Sequence, residues 1–83
     1  MAKQLSPRQR YAPLLPSGVS ISQCSILSFE FKNEYDAIKA HYDLLNVRPE
    51  YYVFDRIRNF VRVVTTEPET VRDLLRYGKE VKM

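Results

Sequence analysis

The segment from Tyr51 to Thr66 constrains the fold more than any other, because it is rich in aromatic and β-branched residues and has two incompatible ways to fold. Tyr51, Tyr52, Val53 and Phe54, then Phe60, Val61, Val63, Val64, Thr65 and Thr66, are strong strand formers. The polar residues between the two runs predict a hairpin turning around Arg56 to Asn59. The rival is a single helix, since Val53, Ile57, Phe60, Val61 and Val64 also recur at helical spacing and Pro49 suits a first turn. The aromatic and β-branched content favours the hairpin.

The flanking segments complete an α+β pattern. Val19, Ile21, Leu27, Phe29 and Phe31 alternate with Ser20, Ser22, Ser28, Glu30 and Lys32, which predicts a first strand. The alternation fails near Gln23 and Cys24, marking a bulge or a later strand start. Asn33 is placed to cap a helix running to Leu45, with Glu34 and Asp36 in its first turn and Ala37, Ile38, His41, Leu44 and Leu45 as its inner stripe. Thr66 and Glu69 have capping-box spacing for a second helix from Pro68 to about Tyr77, with Val71, Leu74 and Leu75 inward. Gly78 stops that helix, and Lys79 to Met83 offer a short final strand.

The resulting βαββα order, with that final strand, predicts a ferredoxin-like split βαβ sandwich with two helices on one face of an antiparallel sheet and the other face open. Residues 1–18 carry Pro7, Pro13, Pro16 and Gly18, and read as a basic, proline-rich, extended arm before a single domain at 19–83. Lys3, Arg8 and Arg10 precede the first acidic residue, whereas ten basic and ten acidic residues cancel from Glu30 onward. The net charge of +3 therefore belongs to the arm.

Chemistry-bearing groups are sparse. Cys24 and His41 are the only Cys and His residues, too few for a structural zinc site. A buried strand cysteine and a helix-face histidine explain them better than a nucleophile and its base. No carboxylate pair or glycine-rich phosphate loop stands out, and Asp55, beside Arg56 and Arg58, reads as a turn or ion-pair residue. No catalytic residue, metal ligand or cofactor site is expected, and the chain is not expected to be an enzyme. A lone cysteine and the lack of a long apolar run suit a cytoplasmic or otherwise intracellular protein that does not span a membrane.

Strand alternation would place Tyr52, Phe54 and Arg56 on the same sheet face as Arg58, Phe60 and Arg62. Rings interleaved with guanidinium groups can stack on unpaired bases and meet phosphates. Arg56 to Val63 is similar at Arg56, Phe60 and Val61 to the third-strand signature of the RNA recognition motif. Ile57 replaces its glycine and Arg58 an expected aromatic residue, so neither membership nor base recognition is carried over.

The leading expectation is a noncatalytic accessory protein that binds RNA or single-stranded DNA through this face and through Lys3, Arg8 and Arg10 of the arm. The alternative is a protein-interaction module, acting as an assembly subunit, adaptor or inhibitor, or as a homo-oligomer, through the sheet face or edge. Under that alternative, Tyr11, Leu14 and Leu15 could dock the arm into a groove on a protein.

Overall fold

Residues 51–66 fold back on themselves. In the computed structural model, which describes residues 6–47 and 51–82, the chain forms α1 (Pro7–Tyr11), β1 (Ser25–Glu30), α2 (Glu34–Val47), β2 (Tyr51–Ile57), β3 (Phe60–Thr65), α3 (Pro68–Leu74) and β4 (Lys79–Val81). Lys3 and Pro49 lie outside the described residues. The strands form one open antiparallel sheet in the order β2-β3-β1-β4. Among the described residues, no helix is long and apolar enough to cross a membrane.

The hairpin turns on two residues, Arg58 and Asn59, with Arg58 in the left-handed region at φ 56°. Asn59 ties the turn to the end of β1: its amide nitrogen donates to the Phe31 carbonyl at 2.8 Å, and the Phe31 N–H donates to its carbonyl at 2.7 Å. Those bonds fix the end of the hairpin against the neighbouring strand, so the β1–β3 register runs unbroken from Ser25 opposite Thr65 to Glu30 opposite Phe60.

The first strand begins at Ser25, the later start that its broken alternation allowed. Ile21–Gln23 form a 3₁₀ turn instead, in which Ser20 and Gln23 satisfy each other's backbone N–H groups. Over its described residues, 6–18, the arm is not extended either. Ser6 and Gln9 make the same reciprocal bonds, at 3.2 and 2.9 Å, and nucleate α1, which continues into a 3₁₀ turn at Ala12–Leu14.

Leu27, Phe29, Val61, Val63, Tyr51 and Val53 point to one face of the sheet, where Ala37, Ala40 and Leu44 of α2 and Val71, Leu74 and Leu75 near α3 complete the core. Two alanines on the inner face let α2 lie close to the strands. Ala40 is fully buried, whereas Leu45, expected on the inner stripe, is 54% exposed. Asn33 caps α2 as expected, its side-chain oxygen accepting the Asp36 N–H at 2.8 Å.

The start of α3 departs from expectation. Glu67 occupies the cap position and the Thr65 hydroxyl accepts its N–H at 2.9 Å, so the capping box between Thr66 and Glu69 does not form. Glu69 instead pairs with Arg72, which also donates to Glu80 at 2.8 Å and ties α3 to β4. Those hydrogen bonds raise the Arg72 pKa and lower that of Glu80. The helix ends at Leu74, three residues early, where the chain turns towards Gly78.

Two buried polar atoms between α2 and β2, the Tyr51 hydroxyl and His41 Nδ1, have no hydrogen-bond partner among the described residues. Leaving a buried hydroxyl unpaired costs roughly 1–3 kcal/mol. Tyr51→Phe is therefore expected to stabilise the domain by about 1 kcal/mol and to raise its midpoint by about 4–8 °C in thermal unfolding.

Candidate nucleic-acid interface

A bulge decides which strand residues share the sheet's second face. Val53 pairs with Val63 and Asp55 with Arg62, leaving Phe54 as the extra residue of β2. Tyr52 and Phe54 keep to the face away from the helices. Beyond the bulge the alternation is reset: Arg56 pairs with Val61, a core residue of the helix-bearing face. Arg56 therefore does not join Tyr52 and Phe54, which corrects the six-residue face expected from strict alternation. Its charge, after burial, helps to hold His41 of α2 below the usual histidine range.

Nor is the second face open. The N-terminal segment lies across it, and Tyr11, Leu15, Val19, Ile21 and Cys24 pack with Ile26, Val64, Tyr52 and Phe54. Cys24 is buried there, which pushes its thiol pKa up, against a smaller lowering by Arg8. Leu14, which the sequence grouped with Tyr11 and Leu15, is exposed.

Tyr11 is the centre of this cover, 2% exposed. Its ring stacks on Phe54 with centroids 5.4 Å apart and planes at 21°. Its hydroxyl donates to Asp55 and accepts from Arg62 at 2.9 Å. Arg10 and Arg62 lie 5.2 and 6.0 Å from its ring centre. Arg62 and Asp55 are also an ion pair at 3.6 Å, so Asp55 has the ion-pair role its neighbours suggested, with Arg62 rather than Arg56 or Arg58 as partner.

Two hollows remain on this face and meet at Ser28 and Arg62. The larger, about 570 Å³, lies along β1 and β4 and is bordered by Arg8 and Lys82. The other, about 330 Å³, lies towards the hairpin turn and is bordered by Arg10, Asp55, Ile57 and Phe60. Among the described residues, no carboxylate pairs with Arg8, Arg10 or Lys82. Glu80 and Asp55, the acidic residues bordering the hollows, are paired with Arg72 and Arg62. The groove is consequently lined by cations that no carboxylate of the described residues neutralises.

The expected site residues are thus divided. Phe60, Arg62, Arg8 and Arg10 line the groove. Tyr52 and Phe54 are half-buried beneath the arm, Arg56 lies on the opposite face, and Arg58 is exposed at the turn. Lys3 lies outside the described residues. Lys82, Ser28 and Ile57 join the groove without having been expected there; pairing of β4 with β1 brings Val81 opposite Ser28 and so places Lys82 nearby. Comparison with protein-family models, curated proteins and solved structures gives no match.

A second surface differs in character. Tyr35, Ile38, Tyr42 and Leu45 recur at intervals of three, four and three on α2, and Tyr35 and Tyr42 are 76% and 59% exposed. The opposite flank of this helix is occupied: Lys39 lies over the Tyr77 ring, whose hydroxyl donates to Asp43 at 3.2 Å. Burial and the neighbouring Asp43 push the Tyr77 pKa up to about 12.

Proposed function

We propose that this is a noncatalytic accessory protein that binds single-stranded nucleic acid, RNA or DNA, along the groove between the arm and the sheet. The observation that carries this reading is that Arg8, Arg10 and Lys82, which have no carboxylate partner among the described residues, border two hollows that meet at Ser28 and Arg62. A flexible polyanion can follow these cations, and half-buried Phe60 beside exposed Ile57 supplies an apolar contact for a base. We further infer that the fold is a ferredoxin-like split βαβ sandwich; the strand order β2-β3-β1-β4, antiparallel throughout, and the core that α2 and α3 share on one face support it. A cytoplasmic setting is compatible with the lone, buried Cys24.

The test is binding of a fluorescently labelled single-stranded oligonucleotide, followed by anisotropy across a salt series. Each phosphate contact in a single strand contributes about 0.7 to the slope of log affinity against log salt. Arg10→Ala and Lys82→Ala are each expected to weaken binding and to reduce that slope by about 0.7, without lowering the unfolding midpoint. Affinity indifferent to salt and to both substitutions would refute the reading.

The alternative, a protein-interaction module, is favoured by the aromatic stripe on α2, since exposed tyrosines on a helix flank are common anchors at protein interfaces. This surface is not the sheet face or edge expected from sequence. Tyr42→Ala and Leu45→Ala distinguish the two readings, because they lie off the groove and leave oligonucleotide binding unchanged if the first is right.

A further inference from the structure

We propose that the surface beneath the arm, formed by Phe54, Tyr52, Asp55 and Arg62, is a nucleobase subsite, and that Tyr11 is its built-in occupant, displaced when a strand binds. This rests on the reading that the sheet face binds single-stranded nucleic acid, and it names the group recognised there.

The contacts of Tyr11 describe what the place accepts. The Phe54 ring offers a flat apolar surface on which the Tyr11 ring lies at 21°, and the Tyr52 ring centre is 6.4 Å from that of Phe54. At the rim of the stack, Asp55 accepts a hydrogen bond from the phenol O–H and Arg62 donates one to the phenol oxygen. A planar ring carrying an N–H beside a carbonyl or ring nitrogen satisfies the same pair, and nucleobases present that combination on their polar edges.

The arm is built to be released. Five residues of α1 are too few for a helix to persist without its docking contacts. Leu14 is 57% exposed, and the link to the rest of the chain passes through exposed Pro16 and Ser17 to Gly18, whose φ of 89° is accessible mainly to glycine. Beyond Tyr11 and half-buried Leu15, the polar bond from Arg8 to the Ile21 carbonyl, 2.8 Å, holds the segment down. Arg8 and Arg10 flank Tyr11 in sequence, so when the ring leaves they remain tethered beside the phosphates of the incoming strand.

Anisotropy with a labelled eight-nucleotide single strand tests this on the full chain. Tyr11→Ala is expected to bind about tenfold more tightly than the wild type, within the range of one base stack, and to lose that gain on an oligonucleotide of abasic sites. Amide hydrogen exchange gives a second readout on the wild type, which does not depend on any variant folding: saturating oligonucleotide is expected to speed exchange of the Arg10 N–H, which donates to the Ser6 carbonyl while α1 is docked. Affinity unchanged or weakened by Tyr11→Ala, or slower exchange of the Arg10 N–H with oligonucleotide bound, overturns the displacement while leaving groove binding intact. If neither the wild type nor Tyr11→Ala binds any oligonucleotide, the underlying reading fails and this proposal with it.

Discussion

Phe29→Ala is expected to cost about 3–5 kcal/mol of folding stability, the usual range for emptying a buried aromatic site. Phe29 stands in β1, which has paired neighbours on both sides, opposite Val61 on β3 and Glu80 on β4. It is 2% exposed and one of the largest fully enclosed side chains. A chain of 83 residues has a total stability of only about 4–12 kcal/mol, so a large share disappears with one ring. Phe60→Ala is the control, because Phe60 lies at the end of β3, half-buried, outside the core. Its loss should cost about 1 kcal/mol in urea unfolding, and equal costs at the two positions would contradict the assignment of faces.

Gly78→Ala carries the second large effect, a loss of about 1–3 kcal/mol. The cause is steric. A Cβ at this position would lie within 2.9 Å of three atoms of the Phe31 ring, and that ring is itself buried between Phe29 and Tyr77 with little room to move. Elsewhere, exchanging glycine for alanine at a compatible position stabilises by about 0.4–1 kcal/mol through the unfolded state, so the sign of the change reports the contact. The double variant Gly78→Ala with Phe31→Leu should recover part of the loss. Additive losses from the two single changes would show that the ring is not what excludes the methyl group.

The elements that sequence reading placed well are those governed by a dense local signal. The hairpin is legible because aromatic and β-branched residues fill both runs, and α2 because Asn33 supplies a cap and Glu34 and Asp36 follow it. Other features turn on signals that were present but outweighed. Ser6 and Gln9, like Ser20 and Gln23, have capping-box spacing, yet the prolines of the arm and the alternating apolar residues after Val19 suggested extended chain. At α3 the same signal misled: Thr66 and Glu69 have the spacing, but the Thr65 hydroxyl caps Glu67 and Arg72 captures Glu69.

The site was harder to read because its geometry is set by contacts distant in sequence. One extra residue at Phe54 turns Arg56 to the other face, and period-two alternation carries no mark of where a bulge falls. Tyr11 meets Asp55 across 44 positions and Arg62 across 51, contacts that exist only once the arm has docked. Lys82 enters the groove through the β1–β4 pairing, a consequence of topology rather than of any local pattern.

Backbone amide NMR spectra recorded as a short single-stranded oligonucleotide is added reveal most directly where a ligand settles. Resonances of Arg10, Ser28, Phe60, Arg62 and Lys82 should move together and saturate at a common concentration, with Tyr35, Tyr42 and Leu45 unmoved. Shifts confined to the outer flank of α2, or spectra that do not change at all, would contradict a nucleic-acid groove on the sheet.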